Sequence, residues 1–556
     1  MENSTSSGND EGQVAAMVTG VPELNTHRSR DDSIIKAVSL VLIGAVVIFA
    51  VANADAAASG IGTFRTFVTQ YFTWYFVILA SAALFFVLSM AFGRRGRIVL
   101  GGPDARPQYS RFAWYSMLFA CGQGVGLIFW SVAEPIMVKS DNPLASVVGT
   151  DAADGALIWG FFHWGVHGWA IYGTVALCLA LSFHNRRAPM TFRDAVVEVF
   201  PPRARRGAGL VVEIVVILAT VFGLATSFAF AAMQLSSGLS EIFGFPTGKV
   251  VWTSVIVAIG LVGAVSVYIG IDAGMKRISE INSTLSGVLL VGVLVFGPTL
   301  YVLSVLPQTL GQYGFNLWWM GLWTDASNSA AGIESWTDSW NGWWTVFIWA
   351  WTWAFSTFVG SFVARISRGR TVREFVIGVL GLPSLVVVVW IAIVGGAALH
   401  YDEKTGGVIT TAVNAETSRG LFVMLREIPL GAVSVALLLV ATVLVGTYYV
   451  TSLDSGVHAL AGFVESASRP SKIFRSTLVI GIALIAFLLL TIGGESVVST
   501  VQTGTILGAL PYTVVVVLMV WNTWRRTSDV EAFVANDEHW ASLERAQDGL
   551  SQELTD

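Results

Sequence analysis

The sequence predicts an all-α integral membrane protein of twelve transmembrane helices. Three observations carry this. Of 556 residues, 54% are hydrophobic and only 12% are charged, about half the charged share of a typical soluble chain. Apolar runs of about 20 residues recur, each long enough to cross a bilayer. Lys and Arg fall on alternate connecting segments, as a multi-pass chain under the positive-inside rule requires. The net charge of −5 says little beside that pattern.

The spans are expected near 36–54, 72–93, 112–132, 155–182, 208–236, 250–270, 284–305, 342–363, 374–397, 428–451, 474–492 and 500–523. Segment 94–111 holds five Arg, 183–207 six and 364–373 four. With Lys276, Arg277, Arg469, Lys472, Arg475 and the tails, 26 of the 32 basic residues lie on one side. That side is expected to be the cytoplasm and to hold both termini. The other side has Arg65, Lys139, Lys249, Lys404, Arg419 and Arg426. Residues 1–33 are polar, lack the apolar core of a signal peptide and are expected to form a disordered cytosolic tail. Cys121 and Cys178 lie inside apolar spans, so no structural disulfide is expected. The tail 524–556 has eight acids and one Arg after Arg526; anionic lipid would repel it.

Helix-breaking residues come next. The third span reads Phe119-Ala-Cys-Gly-Gln-Gly-Val-Gly-Leu127, with Gly122, Gly124 and Gly126 spaced by two. Gly122 and Gly126 suit close helix packing, but three alternating glycines predict a locally unwound segment. Unwound backbone in a membrane must line a cavity or be covered by protein, and its carbonyls can coordinate a cation. The eighth span has a second weak point at Phe355–Gly360. Glu134, before Pro135, is expected to end the third span on the outside. Spans 3–7 and 8–12 read as two repeats of five. Five is odd, so the second enters from the opposite side, and a site is expected at mid-membrane. The divisions are a tail 1–33, two peripheral helices and a loop 34–111, a first repeat 112–305, an extracellular loop 306–341, a second repeat 342–523 and a tail 524–556.

Aromatic residues suggest the cargo. Trp343, Trp344, Trp349, Trp351 and Trp353 crowd the eighth span, with Trp340 just before it. Trp343 and Trp344 suit an interfacial belt; the other three lie deeper. In the fourth span Trp164, Trp169 and Tyr172 cover one arc of a helix and could wall a quaternary ammonium. The same rings would also serve ordinary packing between spans. His163 and His167, four apart, lack the Glu of a metalloprotease pattern and are expected to pack or hydrogen-bond. No nucleophile, base and metal set converges, so an enzyme is not expected. No polar pore suggests a channel, and nucleic acid is not expected as a partner.

These segments resemble the betaine/choline/carnitine transporter family, secondary transporters with the leucine-transporter fold. The resemblance runs from about 34 to 523. It rests on CGQGVGLIFWSVAEP (121–135), FHWGVHGWAIY (162–172), the Trp-to-Arg segment 349–375 and TSLDS (451–455). It implies import of a trimethylammonium or related zwitterionic osmolyte through the inner membrane, with no cofactor beyond a possible sodium ion. It also implies a homotrimer, with an amphipathic helix such as Gly311–Trp323 between spans seven and eight. By position, Trp164, Trp169 and Tyr172 match residues around the ammonium, and Trp351 one near the substrate path. Gln123 stands where the family often has Met. Thr352 and Phe355 stand where it usually has two more Trp; a one-residue shift would bring in Trp353 instead. The pocket is therefore expected to be more polar than the usual betaine box, for a solute with polar groups beyond the ammonium or one not fully methylated.

The resemblance also implies a sodium site from Thr451, Ser452 and carbonyls near Ala120 and Gln123. Thr451 and Ser452 could instead bond their own helix. A second family site needs two Thr; Thr220 matches the first, but Leu224 occupies the other. The fifth span has no Lys or Arg to replace an ion. Asp454 and Glu213 are alternatives for proton coupling. A sodium-independent exchanger, an ectoine or taurine importer, and a non-transporting sensor are the competing functions.

Overall fold

The computed structural model describes residues 8–122, 124–269, 272–326, 340–465, 470–492 and 497–534. Among them every regular element is helical, and the one β contact is an isolated bridge between Val99 and Thr371. Among the described residues, eleven helices are long and apolar enough to cross a membrane. They correspond to all the predicted spans except the third. That one is divided into Arg111–Gly122 and Val125–Ser140, each too short to be counted as a span by itself. Between them Gly124 is extended, at φ −146° and ψ 174°. The glycine run therefore unwinds the chain at the expected place.

Several expectations need correction. The first helix, Gly8–Ala52, begins ahead of the predicted span, and residues 1–7 of the expected tail lie outside the described residues. The seventh span stops at Phe296, short of 305. There Gly297 and Pro298 turn the chain, because proline has no N–H to extend the ladder. The expected amphipathic helix at 311–323 is part of a longer one, Thr299–Leu322. The weak point at Phe355–Gly360 stays helical within Thr345–Ile366. Ser356 and Thr357 there donate to the carbonyls of Trp353 and Ala354, so their hydroxyls are satisfied without opening the helix. The eighth span is instead kinked at Trp344, between Trp340–Trp343 and Thr345–Ile366, with the hydrogen-bond ladder carried through it from Trp344 N to Trp340 O at 2.9 Å and from Ile348 N to Trp344 O at 3.0 Å. Trp344 is buried against Trp130 rather than held in an interfacial belt. The fourth span is kinked at Gly165, between Ala152–Trp164 and Val166–Ala180, with the ladder bonds Gly165 N to Phe161 O at 2.8 Å and Trp169 N to Gly165 O at 2.9 Å kept. The tenth runs on past Ser452 to Val464.

The Arg-rich segments meet on one face. The Leu100 amide donates to the Arg370 carbonyl at 2.9 Å, that of Gly369 to Leu100 at 2.7 Å, and that of Val372 to Ile98 at 2.8 Å. Asn185 joins them by donating to the Val99 carbonyl at 2.9 Å. Asp31 pairs with Arg206 at 2.8 Å, and Arg95 donates to the Thr527 carbonyl at 2.9 Å. At the opposite face Glu241 pairs with Arg419 at 2.5 Å and Arg426 at 3.0 Å. The packing thus gathers three of the predicted basic segments, 94–111, 183–207 and 364–373, with Asp31 and Thr527 on one face, and sets Arg419 and Arg426 apart from them.

Candidate functional site

A cavity of about 70 Å³ lies where the interrupted third span and the kinked fourth meet the fifth, eighth, ninth and tenth. That is room for several waters or one small solute. Backbone geometry prepares one wall. Gly124, Val125, Gly126 and Leu127 line it at the start of Val125–Ser140. The first N–H groups of a helix have no partner within it, so this wall offers donors and the positive end of a helix dipole.

Gly126 also makes the aromatic wall possible. A Cβ added there would sit 2.7 Å from Cη2 of Trp351 and 3.2 Å from Cη2 of Trp164. Only a residue without a side chain lets both indoles reach this spot. Their rings meet edge to face, with centroids 5.9 Å apart at 82°. Trp169 and Tyr172 form a second edge-to-face pair at 5.4 Å, and Trp351 and Phe355 a third at 5.9 Å. The Trp351 indole N–H donates to Ser227 Oγ at 3.1 Å, which fixes the ring. Six of the predicted substrate residues, Trp164, Trp169, Tyr172, Trp351, Thr352 and Phe355, line this one cavity, together with Ser452.

The remaining predictions fall elsewhere. Gln123 lies outside the described residues, as does the side chain of Ala120, whose backbone is in the last turn of Arg111–Gly122. Thr451 donates to the Tyr448 carbonyl at 2.9 Å and accepts from Asn282 at 3.4 Å; it does not line the cavity. Thr220 Oγ1 lies 2.7 Å from the Val216 carbonyl and 2.8 Å from Thr357 Oγ1, also away from it. Thr352 lines the cavity but donates to the Ile348 carbonyl at 2.8 Å. Its hydroxyl proton is spent, and only acceptor capacity is left. Trp353 is buried outside the lining, so the one-residue shift is not realised. Glu213 accepts from the Arg193 amide at 2.8 Å, and Asp454 lies 3.4 Å from His458.

Sequence reasoning missed four residues. Ser227 orients Trp351 as described. Tyr449 lines the cavity; Phe228 stacks on it at 4.2 Å, and its buried hydroxyl has no hydrogen-bond partner among the described residues. Glu134 does not end a span on the outside. The helix continues through Pro135 to Ser140, and Glu134 is 0% exposed. It accepts from the Trp164 indole at 2.7 Å and lies 2.6 Å from His163 Nδ1. His163 itself lines the cavity, whereas His167 turns away to Ser81 at 3.3 Å. A carboxylate a few residues after the glycine run, within an apolar span, was the available signal.

Residues 34–532 match the betaine/carnitine/choline family transporter sequence pattern. The chain belongs to the betaine/carnitine/choline transporter family. It is 37% identical over 495 residues to "Glycine betaine transporter 1" of Vibrio parahaemolyticus, covering 87% of this chain and 90% of that one. It is 32% identical over 455 residues to "Probable glycine betaine transporter" of Desulfitobacterium hafniense, covering 82% and 89%. Among solved structures, a Na+-coupled sialic acid symporter aligns with a TM-score of 0.41 at 14% identity, over 84% of this chain and 83% of that one. That likeness is loose, and the family membership rests on the sequence match. The chain is therefore a multi-pass membrane transporter and not an enzyme, and its aromatic cavity is the candidate solute site.

Proposed function

We propose that this transporter imports a small quaternary-ammonium zwitterion of the glycine betaine type, coupled to sodium, by alternating access. One observation carries the reading. The rings of Trp164, Trp169, Tyr172, Trp351 and Phe355 converge on one cavity that, among the described residues, no Lys or Arg lines. A methylated ammonium bears no N–H to donate, so ring faces suit it better than hydrogen-bond acceptors. The start of Val125–Ser140 at the same cavity suits the carboxylate of a zwitterion. Choline, which lacks a carboxylate, would leave that wall unused. The names of the relatives point to the same solute class.

Sodium coupling is argued from Ser452 and the helix interruption. Ser452 brings a hydroxyl to the cavity. The last carbonyls of Arg111–Gly122 are unsatisfied within their own helix, and sodium, a hard ion, takes such oxygens. We assign the Arg-rich face to the cytoplasm on the positive-inside rule, with both termini there and the chain in the inner membrane. A homotrimer fits the helix Thr299–Leu322, whose Leu300 and Phe315 are 82% and 87% exposed.

The test is uptake of labelled glycine betaine into proteoliposomes with and without an inward sodium gradient. Accumulation only with the gradient is expected. Uptake that needs preloaded betaine and ignores sodium would make the protein an exchanger instead. In the same assay Ser452→Ala is expected to raise the sodium concentration for half-maximal uptake about tenfold. At saturating sodium its betaine KM should stay near the wild-type value. A Ser452→Ala variant with an unchanged sodium requirement would remove this residue from the ion site.

A further inference from the structure

We propose that Glu134 is a positioning residue for the cation site: it holds the Trp164 indole through a hydrogen-bond relay that starts at Asn341. The inference rests on the reading of the cavity as an ammonium site. The side chains of Glu134 and His163 are 1% and 0% exposed. One carboxylate oxygen accepts from Trp164 Nε1 at 2.7 Å, and the other lies 2.6 Å from His163 Nδ1. His163 Nε2 lies 3.1 Å from Thr345 Oγ1.

The far end of the relay decides where its protons are. Asn341 Nδ2 donates to the Trp323 carbonyl at 3.0 Å, so Oδ1 is the atom that faces Thr345. Thr345 Oγ1 donates to that oxygen at 2.7 Å. A hydroxyl has one proton, so Thr345 can only accept from His163, and Nε2 carries a hydrogen. A second proton must lie between Nδ1 and the carboxylate, where two bare lone pairs would otherwise face each other. It sits on either the imidazole or the carboxyl group. Both arrangements give the Glu134–His163 pair a net charge of zero.

A net-neutral pair is a poor lure for an ammonium and a good clamp for a ring. His163 is itself held flat, stacked on Trp340 at 5.9 Å and 18° and beside Trp159 at 5.5 Å. Trp164 is half-buried, with one edge toward Trp351. Its N–H bond to Glu134 is what stops the indole from turning its face away from the cavity. The relay therefore transmits the packing of the eighth-span start to the orientation of one cage wall, as supporting shells orient binding residues elsewhere.

The carboxamide isostere separates clamping from charge. In Glu134→Gln the amide oxygen still accepts from Trp164, and the amide NH2 donates to a neutral His163 that keeps its Nε2 hydrogen on Thr345. Every bond of the relay survives. Binding of tetramethylammonium to the full-length protein in liposomes, read by quenching of tryptophan fluorescence, is expected to stay within about threefold of wild type. Glu134→Ala strands the indole N–H and is expected to weaken binding about tenfold or more. On a Trp164→Phe background, which has no N–H to hold, the same Ala substitution should add less than about threefold. Thr345→Val reads the relay from its far end, should Glu134→Ala fail to fold, and is expected to cost about threefold. Equal losses in Glu134→Gln and Glu134→Ala would overturn the positioning role. So would full additivity on the Trp164→Phe background, or no change in Thr345→Val. Folded wild-type protein that binds no tetramethylammonium would instead overturn the ammonium reading, and this inference with it.

Discussion

Gly126→Ala is expected to weaken binding of glycine betaine about a hundredfold while the protein still folds. The added methyl would lie 2.7 Å from one indole and 3.2 Å from another. Real Cβ atoms do not approach that closely, so Trp351 or Trp164 must move. Overpacking of this kind costs roughly 1–3 kcal/mol, and here the moving parts are the cage itself. Gly124→Ala is the control. Its extended backbone suits any residue, and a Cβ there meets nothing within 4 Å. It should stay within about threefold of wild type. The measurement is a betaine titration of each variant beside a thermal unfolding curve. Equal affinities in the two variants would mean that the indole contact over Gly126 does not shape the site.

The second large effect separates two tryptophans two residues apart. Trp351→Leu removes the ring that touches Trp164, Phe355 and Phe347. It is expected to lower betaine affinity about thirtyfold or more, because a desolvated cation–π contact contributes about 2 kcal/mol. Trp353→Leu empties an equally buried position outside the cavity lining. It should cost roughly 2–3 kcal/mol of stability and leave affinity within about threefold. Loss of affinity in Trp353→Leu with retention in Trp351→Leu would reverse the register assigned to the eighth span.

How far the sequence was legible depends on what kind of signal each residue leaves. Spans were readable because bilayer thickness imposes a length on every one of them. The break in the third span was readable because Gly122, Gly124 and Gly126 alternate beyond what packing needs. Trp164, Trp169 and Tyr172 were readable because their spacing sets them along one arc of the fourth span, and the kink at Gly165 leaves all three on the cavity. The place where the eighth span bends was not. Ser356 and Thr357 look like breakers in sequence, yet their hydroxyls fold back onto their own helix, and only three-dimensional packing decides between the two outcomes. Thr451 and Ser452 illustrate the same limit. They are neighbours in sequence, but a rotation of about 100° per residue turns Ser452 to the cavity and Thr451 to Asn282 of the seventh span. Glu134 was misread because its partners, His163 and Trp164, come from another span. A buried carboxylate is explained only by what it meets.

The bridge between Val99 and Thr371 has a mechanical meaning. Three amide hydrogen bonds stitch the chain after the second helix to the chain before the ninth. A movement that separates those two helices at the Arg-rich face must break all three bonds together, whereas one that carries them as a single piece breaks none. Transport requires some helices to tilt against others. The stitch ranks the possible tilts by cost, and it places the second helix and the start of the ninth on the same side of any hinge.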